Sequence, residues 1–249
     1  MRDKHRDESY FKDTVEYNKN RIKMTIENSK KIKNFEFDNK IKSRFNLVLN
    51  RYYFDLIKSM YSLGESYQEI EKVVNNYIET TCEYWTTNRG FETLLNTVSI
   101  VVLFKVSGDT LEKLKLLLTA GDGEKIVNDI VINELINYLD SSFGRKDGII
   151  LHSWIEDDIV KIINAEKTNR SKQLKEYMNA WYSKHNGNTW CGTHENDNEN
   201  YAGYWSFEAA ALAVVFGIDD SDLKDTDYYP YDLVQGHRKA NLNDDNIDV

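Results

Sequence analysis

Residues 201–233 read YAGYWSFEAAALAVVFGIDDSDLKDTDYYPYDL, and this stretch decides the fold. From 204 to 216 nearly every residue is apolar, and the apolar residues run all the way round a helical wheel. A helix of that kind is buried on most sides. Gly217 follows the last periodic residue, where a helix C-cap is expected. Asp219, Asp220 and Ser221 are N-cap types for a further short turn. The chain then leaves as an aromatic and acidic loop, 225–232, pinned by Pro230, the only proline of the protein. One residue is out of place in the apolar run. Glu208 stands between Phe207 and Ala209, and a buried carboxylate must be paired or become neutral. Its neighbours three and four residues away are Tyr204, Trp205, Ala211 and Leu212. None is basic, so a cationic partner has to come from elsewhere in the fold. Glu208 is either a structural anchor for a distant helix or loop, or a general acid or base. The anchor is preferred, because structural networks perturb carboxylates without being catalytic.

Outward from this stretch the chain reads as all-α, a multi-helix bundle or array of two helical modules. With 249 residues it has one proline and 12 glycines, few breakers for a many-turned β fold. Residues 6–34 have the rhythm of a long amphipathic surface helix. A second helix carries Phe45 to Met60 and ends at Gly64. Ser66 and Glu69 have capping-box spacing and start a third. Residues 91–106 suit a strand by composition and a helix by length and neighbours; helix is favoured. Asp109 is expected to cap the next helix, stopped by Gly121, and 124–140 repeat the pattern. SSFGRKDG, 141–148, is the best boundary and predicts an N-terminal module over 1–145 and a C-terminal one over 149–249. The second module has helices at 154–163 and 168–185, a polar loop at 186–200 and the organising helix. Residues 239–249 read as a frayed acidic tail.

The formal charge is −9 and the pI about 5.2. That disfavours direct nucleic-acid binding, which calls for a basic surface, and suits a basic partner. The charge is uneven. Residues 1–50 hold 13 Lys/Arg against 8 Asp/Glu, a balance of +5, and residues 186–249 hold 3 against 13, a balance of −10. No apolar run is long enough for a membrane span. The N-terminal MRDKHRDESYFKD lacks the apolar stretch of a secretory signal. Cys82 and Cys191 show no framework spacing and read as free thiols. Together these point to the cytoplasm.

Chemical motifs are weak. His185, Cys191 and His194 match no zinc spacing. The acids 219–227 fail the calcium-loop pattern, because Lys224 and Asp225 fall at ligand and glycine positions. Nucleophile elbows and phosphate loops are missing, so neither metal nor cofactor is expected. Tyr228, Tyr229 and Tyr231 beside Asp225, Asp227 and Asp232 could grip a basic surface. For Tyr228 to Pro230, packing back onto the core is favoured. Two other classes stay open: a metal-assisted hydrolase using Glu208, Asp219 and Asp220, and a helical adaptor for another basic partner.

The wording of 203–233 also resembles the PoNi family, immunity proteins to the polymorphic nuclease effectors called PoNe. The residues that carry the resemblance are Gly203-Tyr204-Trp205, Phe207-Glu208-Ala209-Ala210, Gly217-Ile218-Asp219-Asp220 and Tyr228-Tyr229-Pro230 with Asp232-Leu233. Trp181, Tyr182, His185 and Trp190 fit the same module, and YSLGESYQEIEKVV, from Tyr61, resembles the helix junction of the family's N-terminal module. The resemblance implies a cytoplasmic, non-enzymatic protein that binds and blocks a cognate DNase toxin delivered between competing bacteria. The motif residues Tyr204, Trp205, Glu208, Asp219, Asp220, Tyr228, Tyr229, Pro230 and Asp232 are then expected to shape the scaffold. Specificity is expected outside the motif, on Asp222, Asp225, Asp227, Glu195, Asp197 and Glu199 with Tyr231, facing a basic toxin surface. A homodimer is left open.

Overall fold

A computed structural model describes residues 1–32, 35, 38–86, 90–119, 128–143, 148–196 and 201–244. Ten α-helices, and no β-sheet, are found among the described residues, so the protein is all-α. They are α1 (Glu8–Ser29), α2 (Asn39–Leu63), α3 (Tyr67–Tyr84), α4 (Phe91–Leu103), α5 (Gly108–Thr119), α6 (Ile130–Leu139), α7 (Ser153–Asn164), α8 (Arg170–Lys184), α9 (Phe207–Val215) and α10 (Tyr231–Asp244). An isolated parallel bridge joins Asp129 and Ile149.

The chain divides into two compact units, and each takes two stretches of sequence. The first is Met1–Asn88 with Asn188–Tyr204; the second is Arg89–Gly187 with Trp205–Val249. This partition is interleaved, unlike the linear division read from the sequence. Half of the boundary octapeptide, at 144–147, and Gly121 lie outside the described residues.

In the first unit α2 packs against both α1 and α3. Its end follows from Gly64, whose φ of +103° is a left-handed conformation that glycine adopts without a Cβ penalty. Gly64 N–H donates to the Tyr61 carbonyl and Glu65 N–H to the Met60 carbonyl, which satisfies the last turn. A Cβ on Gly64 would also come within 2.9 Å of the Met1 nitrogen. Ser66 then caps α3, its hydroxyl accepting from Glu69 N–H. The buried Asn50 pins α2 to α3. Its amide donates to the Tyr77 carbonyl (3.1 Å) and Thr81 Oγ1 (2.7 Å), and its oxygen accepts from Tyr84 OH (3.0 Å). The charged N-terminus is also built in. Arg2 donates to the Tyr61 and Glu65 carbonyls, and Asp3, 6% exposed, accepts from Tyr201 OH at 2.5 Å.

In the second unit α9 is the central element, packed against α4, α6, α8 and α10. Ala209, Ala210, Ala211, Leu212 and Ala213 are fully buried, as are Val98 and Ile100 to Val102 of α4. Small alanines let the facing helices approach closely. Full burial of Phe207 and Leu212 contributes about 1.5–3 kcal/mol each. The helix ends in a Schellman motif: Gly217 (φ +56°) donates to Val214 and Ile218 to Ala213.

The structure departs from the sequence reading in three places. The organising helix starts at Phe207, not at residue 204. Gly203 sits at φ +111°, and Ser206 N–H donates to the Tyr228 carbonyl (2.9 Å), so 204–206 stay outside the helix. Asp109 lies inside the first turn of α5 rather than at its cap. Residues 239–244 are not a frayed tail but the last turns of α10, which is anchored by buried Leu233, Val234 and His237.

Candidate functional site

The GYWSFE stretch enters the second unit as a polar clamp. Glu208, in the first turn of α9 and 6% exposed, accepts three hydrogen bonds on Oε1. They come from Tyr177 OH (2.8 Å), Trp181 Nε1 (2.6 Å) and Ser206 Oγ (2.7 Å). Tyr177 and Trp181 stand four residues apart on α8, one helical face above the other. The expected cationic partner is replaced by neutral donors; three donors with good geometry keep a buried carboxylate satisfied. Burial, and then the Glu208 charge, push the Tyr177 phenol well above its ordinary range, so it remains a donor.

The GIDD and YYP stretches make a second clamp. Asp220, 1% exposed, accepts from Arg238 Nη1 of α10 (2.5 Å) and from Tyr229 OH (2.8 Å). Arg238 Nη2 also donates to the Ile218 carbonyl (2.8 Å). Asp220 stands at the N-cap position of the short 3-10 turn Ser221–Leu223, as expected, but its side chain makes no capping bond and is not part of a solvated face. Its exposed neighbour Asp219 accepts from Ser221 N–H, and hydrogen bonds from Ser221 hold its carboxyl below the usual range. Tyr229 and Pro230 are buried. Tyr228 is half-buried at φ +66°, a conformation that costs a non-glycine residue about 1–2 kcal/mol. It places the ring flat on Tyr182, centroids 4.9 Å apart.

In the first unit Tyr204 is buried, and its hydroxyl meets Thr193 Oγ1, His194 N and His194 Nδ1 at 3.0–3.1 Å. Trp205, in the second unit, is half-buried. Of the acids expected to face a partner, Asp222, Asp225 and Asp227 are exposed on the loop before α10, and Asp232 is exposed in its first turn, beside half-buried Tyr231. Glu195 is exposed in the first unit, 3.7 Å from His194 Nε2. Asp197 and Glu199 lie outside the described residues.

Sequence reasoning missed a third carboxylate site. Asp129 caps α6, accepting from Ile132 N–H at 2.9 Å, and neighbours Glu156 of α7; both are fully buried. Glu156 Oε2 accepts from His152 N–H. Asp129 Oδ2 and Glu156 Oε1 have no donor. Two such carboxyls hold one proton between them. Burial, and next Glu156, push the Asp129 carboxyl up to about 8. In sequence both acids look like ordinary helix-start residues, and only their meeting in space reveals the pair.

No group of three His, Cys, Asp or Glu side chains placed to hold a metal occurs among the described residues. No helix among them is long and apolar enough to cross a membrane. A concave pocket of 440 Å³ in the first unit is lined by Lys19, Lys23, Lys30, Ile22, Leu56 and Tyr53, with Glu27 as its one carboxylate. It brings together no nucleophile and base.

No curated protein matches the chain. The crystal structure of protein PA2201 from Pseudomonas aeruginosa has a similar fold, with a TM-score of 0.59 at 14% identity over 95% of this chain and 90% of that one. Two family models match in order along the sequence. The model for the N-terminal part of PoNe immunity proteins (PoNi) covers residues 2–116, and the model for their C-terminal part covers residues 127–233. The second spans the Glu208 clamp and the Asp220 and Tyr229 side of the other clamp, with Arg238 beyond its end, and the first spans the Asn50 pin; with both modules present the chain belongs to the PoNi family of PoNe immunity proteins.

Proposed function

We propose that the protein protects its host cell by binding a cognate PoNe-type DNase and blocking it, without catalysis of its own. The observation that carries this reading is a division among the acids. Glu208 and Asp220 are occupied by structural hydrogen bonds, whereas Asp222, Asp225 and Asp227 face solvent. Asp222 and Asp225 form no ion pair among the described residues. A nuclease must attract phosphates with Lys and Arg. Exposed carboxylates on an inhibitor occupy the same field and speed encounter. On the second unit Asp222, Asp225 and Asp227, with Tyr231, are proposed as the charged part of the docking surface; on the first unit Glu195, Asp197 and Glu199 are proposed separately as partner contacts. The buried motif residues support the scaffold. The cytoplasm, where such a nuclease acts, is the compartment this reading requires.

The test is direct. The candidate cognate PoNe-type nuclease is purified alone and with this protein, and DNA cleavage is measured. Stoichiometric loss of cleavage together with co-elution supports the proposal. Undiminished cleavage at a several-fold excess of this protein contradicts it.

A further inference from the structure

In the second unit a ladder of rings reaches the surface at Trp154. This residue, in the first turn of α7, is 58% exposed. Its ring meets the buried His185 at right-angle-like geometry, centroids 6.2 Å apart. His185 is fixed in turn, donating from Nδ1 to the Trp181 carbonyl (2.7 Å) and lying 4.8 Å from the Trp181 ring. Trp181 lies 5.7 Å from Tyr228, which follows the exposed Asp225 and Asp227. Ile149 and Ile150, just before α7, are 50% and 43% exposed. Asp157, one turn beyond Trp154, is exposed and forms no ion pair among the described residues.

Three large apolar side chains within six residues are an unusual load for a solvated surface. Tryptophan is over-represented among the few residues that dominate binding energy. A ring braced from behind loses little freedom on binding, so less of the contact is offset by ordering. The ladder ends at Tyr228, the residue after Asp227, so Trp154 is connected through packed rings to the acidic loop.

We propose that Trp154, with Ile149 and Ile150, is the apolar anchor of the surface on which the toxin docks, and that Asp222, Asp225 and Asp227 are its charged rim. The partner is a protein presenting an apolar pocket bordered by Lys and Arg. The proposal rests on the immunity reading and divides the labour within it: the rim governs association and the anchor governs dissociation.

The experiment measures binding kinetics of the full chain to the same candidate PoNe-type nuclease, with sedimentation of the free protein in parallel. The variants are W154A, the conservative W154F and, independently, I150S. Expected are a dissociation rate raised roughly tenfold or more in W154A, partial recovery in W154F, a smaller rise in I150S, and association rates and melting temperatures near wild type. If the wild type binds and W154A dissociates at the wild-type rate, only the anchor is overturned. It is overturned equally if W154A turns a wild-type dimer into a monomer while toxin binding is unchanged, because the patch then covers a second copy. If the wild type does not bind, the immunity reading falls and the anchor with it.

Discussion

Glu208 and Asp129 are both carboxylates buried at the start of a helix in the same unit, and their surroundings are opposite. Glu208 meets three donors, from Tyr177, Trp181 and Ser206. Asp129 meets another acid, Glu156, and each keeps one oxygen without a donor. Burial costs either carboxylate its hydration; three side-chain donors offset that cost at the first site, whereas at the second a single backbone N–H reaches each acid. Depth alone therefore does not tell what a buried acid does to the fold; its partners do. The first site locks α9 to α8. The second stores a penalty that depends on pH.

Removing the satisfied carboxylate has the largest expected effect. Glu208→Ala leaves a phenol, an indole and a hydroxyl without their acceptor. We expect a loss of about 3–5 kcal/mol, read from denaturant midpoints. An unchanged midpoint means that the clamp contributes nothing, and the contrast with Asp129 disappears.

The unsatisfied pair is expected to behave in the opposite sense. The folded Asp129 carboxyl is raised to about 8 from an ordinary value of 3.8. The folded state thus holds a proton that the unfolded chain releases. The corresponding stability is present in full below about pH 4, declines as pH rises and is gone above about pH 8, with a slope of at most about 1.4 kcal/mol per pH unit. Asp129→Asn keeps an acceptor for Ile132 N–H and offers Glu156 a donor. Relative to wild type the variant should gain about 2–3 kcal/mol between pH 5 and pH 8. Parallel stability curves over that range would show that the two acids do not share a proton.

Asp220 lies between these cases, since its cationic partner Arg238 is partly in water. Arg238→Met removes two hydrogen bonds but leaves Tyr229 OH on the carboxylate. Solvent screening at the arginine limits the expected loss to about 1–2 kcal/mol. A loss as large as that of Glu208→Ala would place Asp220, not Glu208, at the centre of the fold.

Local signals in the sequence were reliable wherever the cause was local. The 3.6-residue rhythm, the Ser66–Glu69 cap and the glycines at 64 and 217 each act within one turn, and each is found in the structure. Glu208 was legible as buried because its apolar neighbours are adjacent in sequence. Its donors were not, because Tyr177 lies 31 residues away. The bond from Tyr201 to Asp3 spans 198 residues and buries one carboxylate of a segment that reads as charged surface, while Lys4, His5 and Asp7 stay exposed. The start of α9 was misread for the same reason: the Tyr228 carbonyl that accepts from Ser206 N–H just before the helix is 22 positions downstream. Trp154 was read only as a member of a short helix, because exposure depends on what fails to cover a side chain, which no local pattern encodes.

The exposed acids complete the series with the smallest effect on folding. Asp222, Asp225 and Asp227 are already hydrated, so replacing all three by Asn should change stability by no more than about 0.5 kcal/mol each. Their influence should appear in encounter. Rim charges act at a distance through a field that salt screens, with a reach of about 8 Å at physiological ionic strength. At low salt the wild type should therefore associate with its nuclease faster than the triple variant. At high salt the two rates should converge, because the field that separates them is screened. The slope of association rate against ionic strength should be flatter for the variant, while dissociation, set by the buried contacts, stays close to wild type. An identical rate and an identical salt slope would remove the acidic loop from the docking surface. A stability loss comparable to that of Glu208→Ala would mean that Asp222 and Asp225, too, have structural partners, and the line between exposed and structural acids would have to be redrawn.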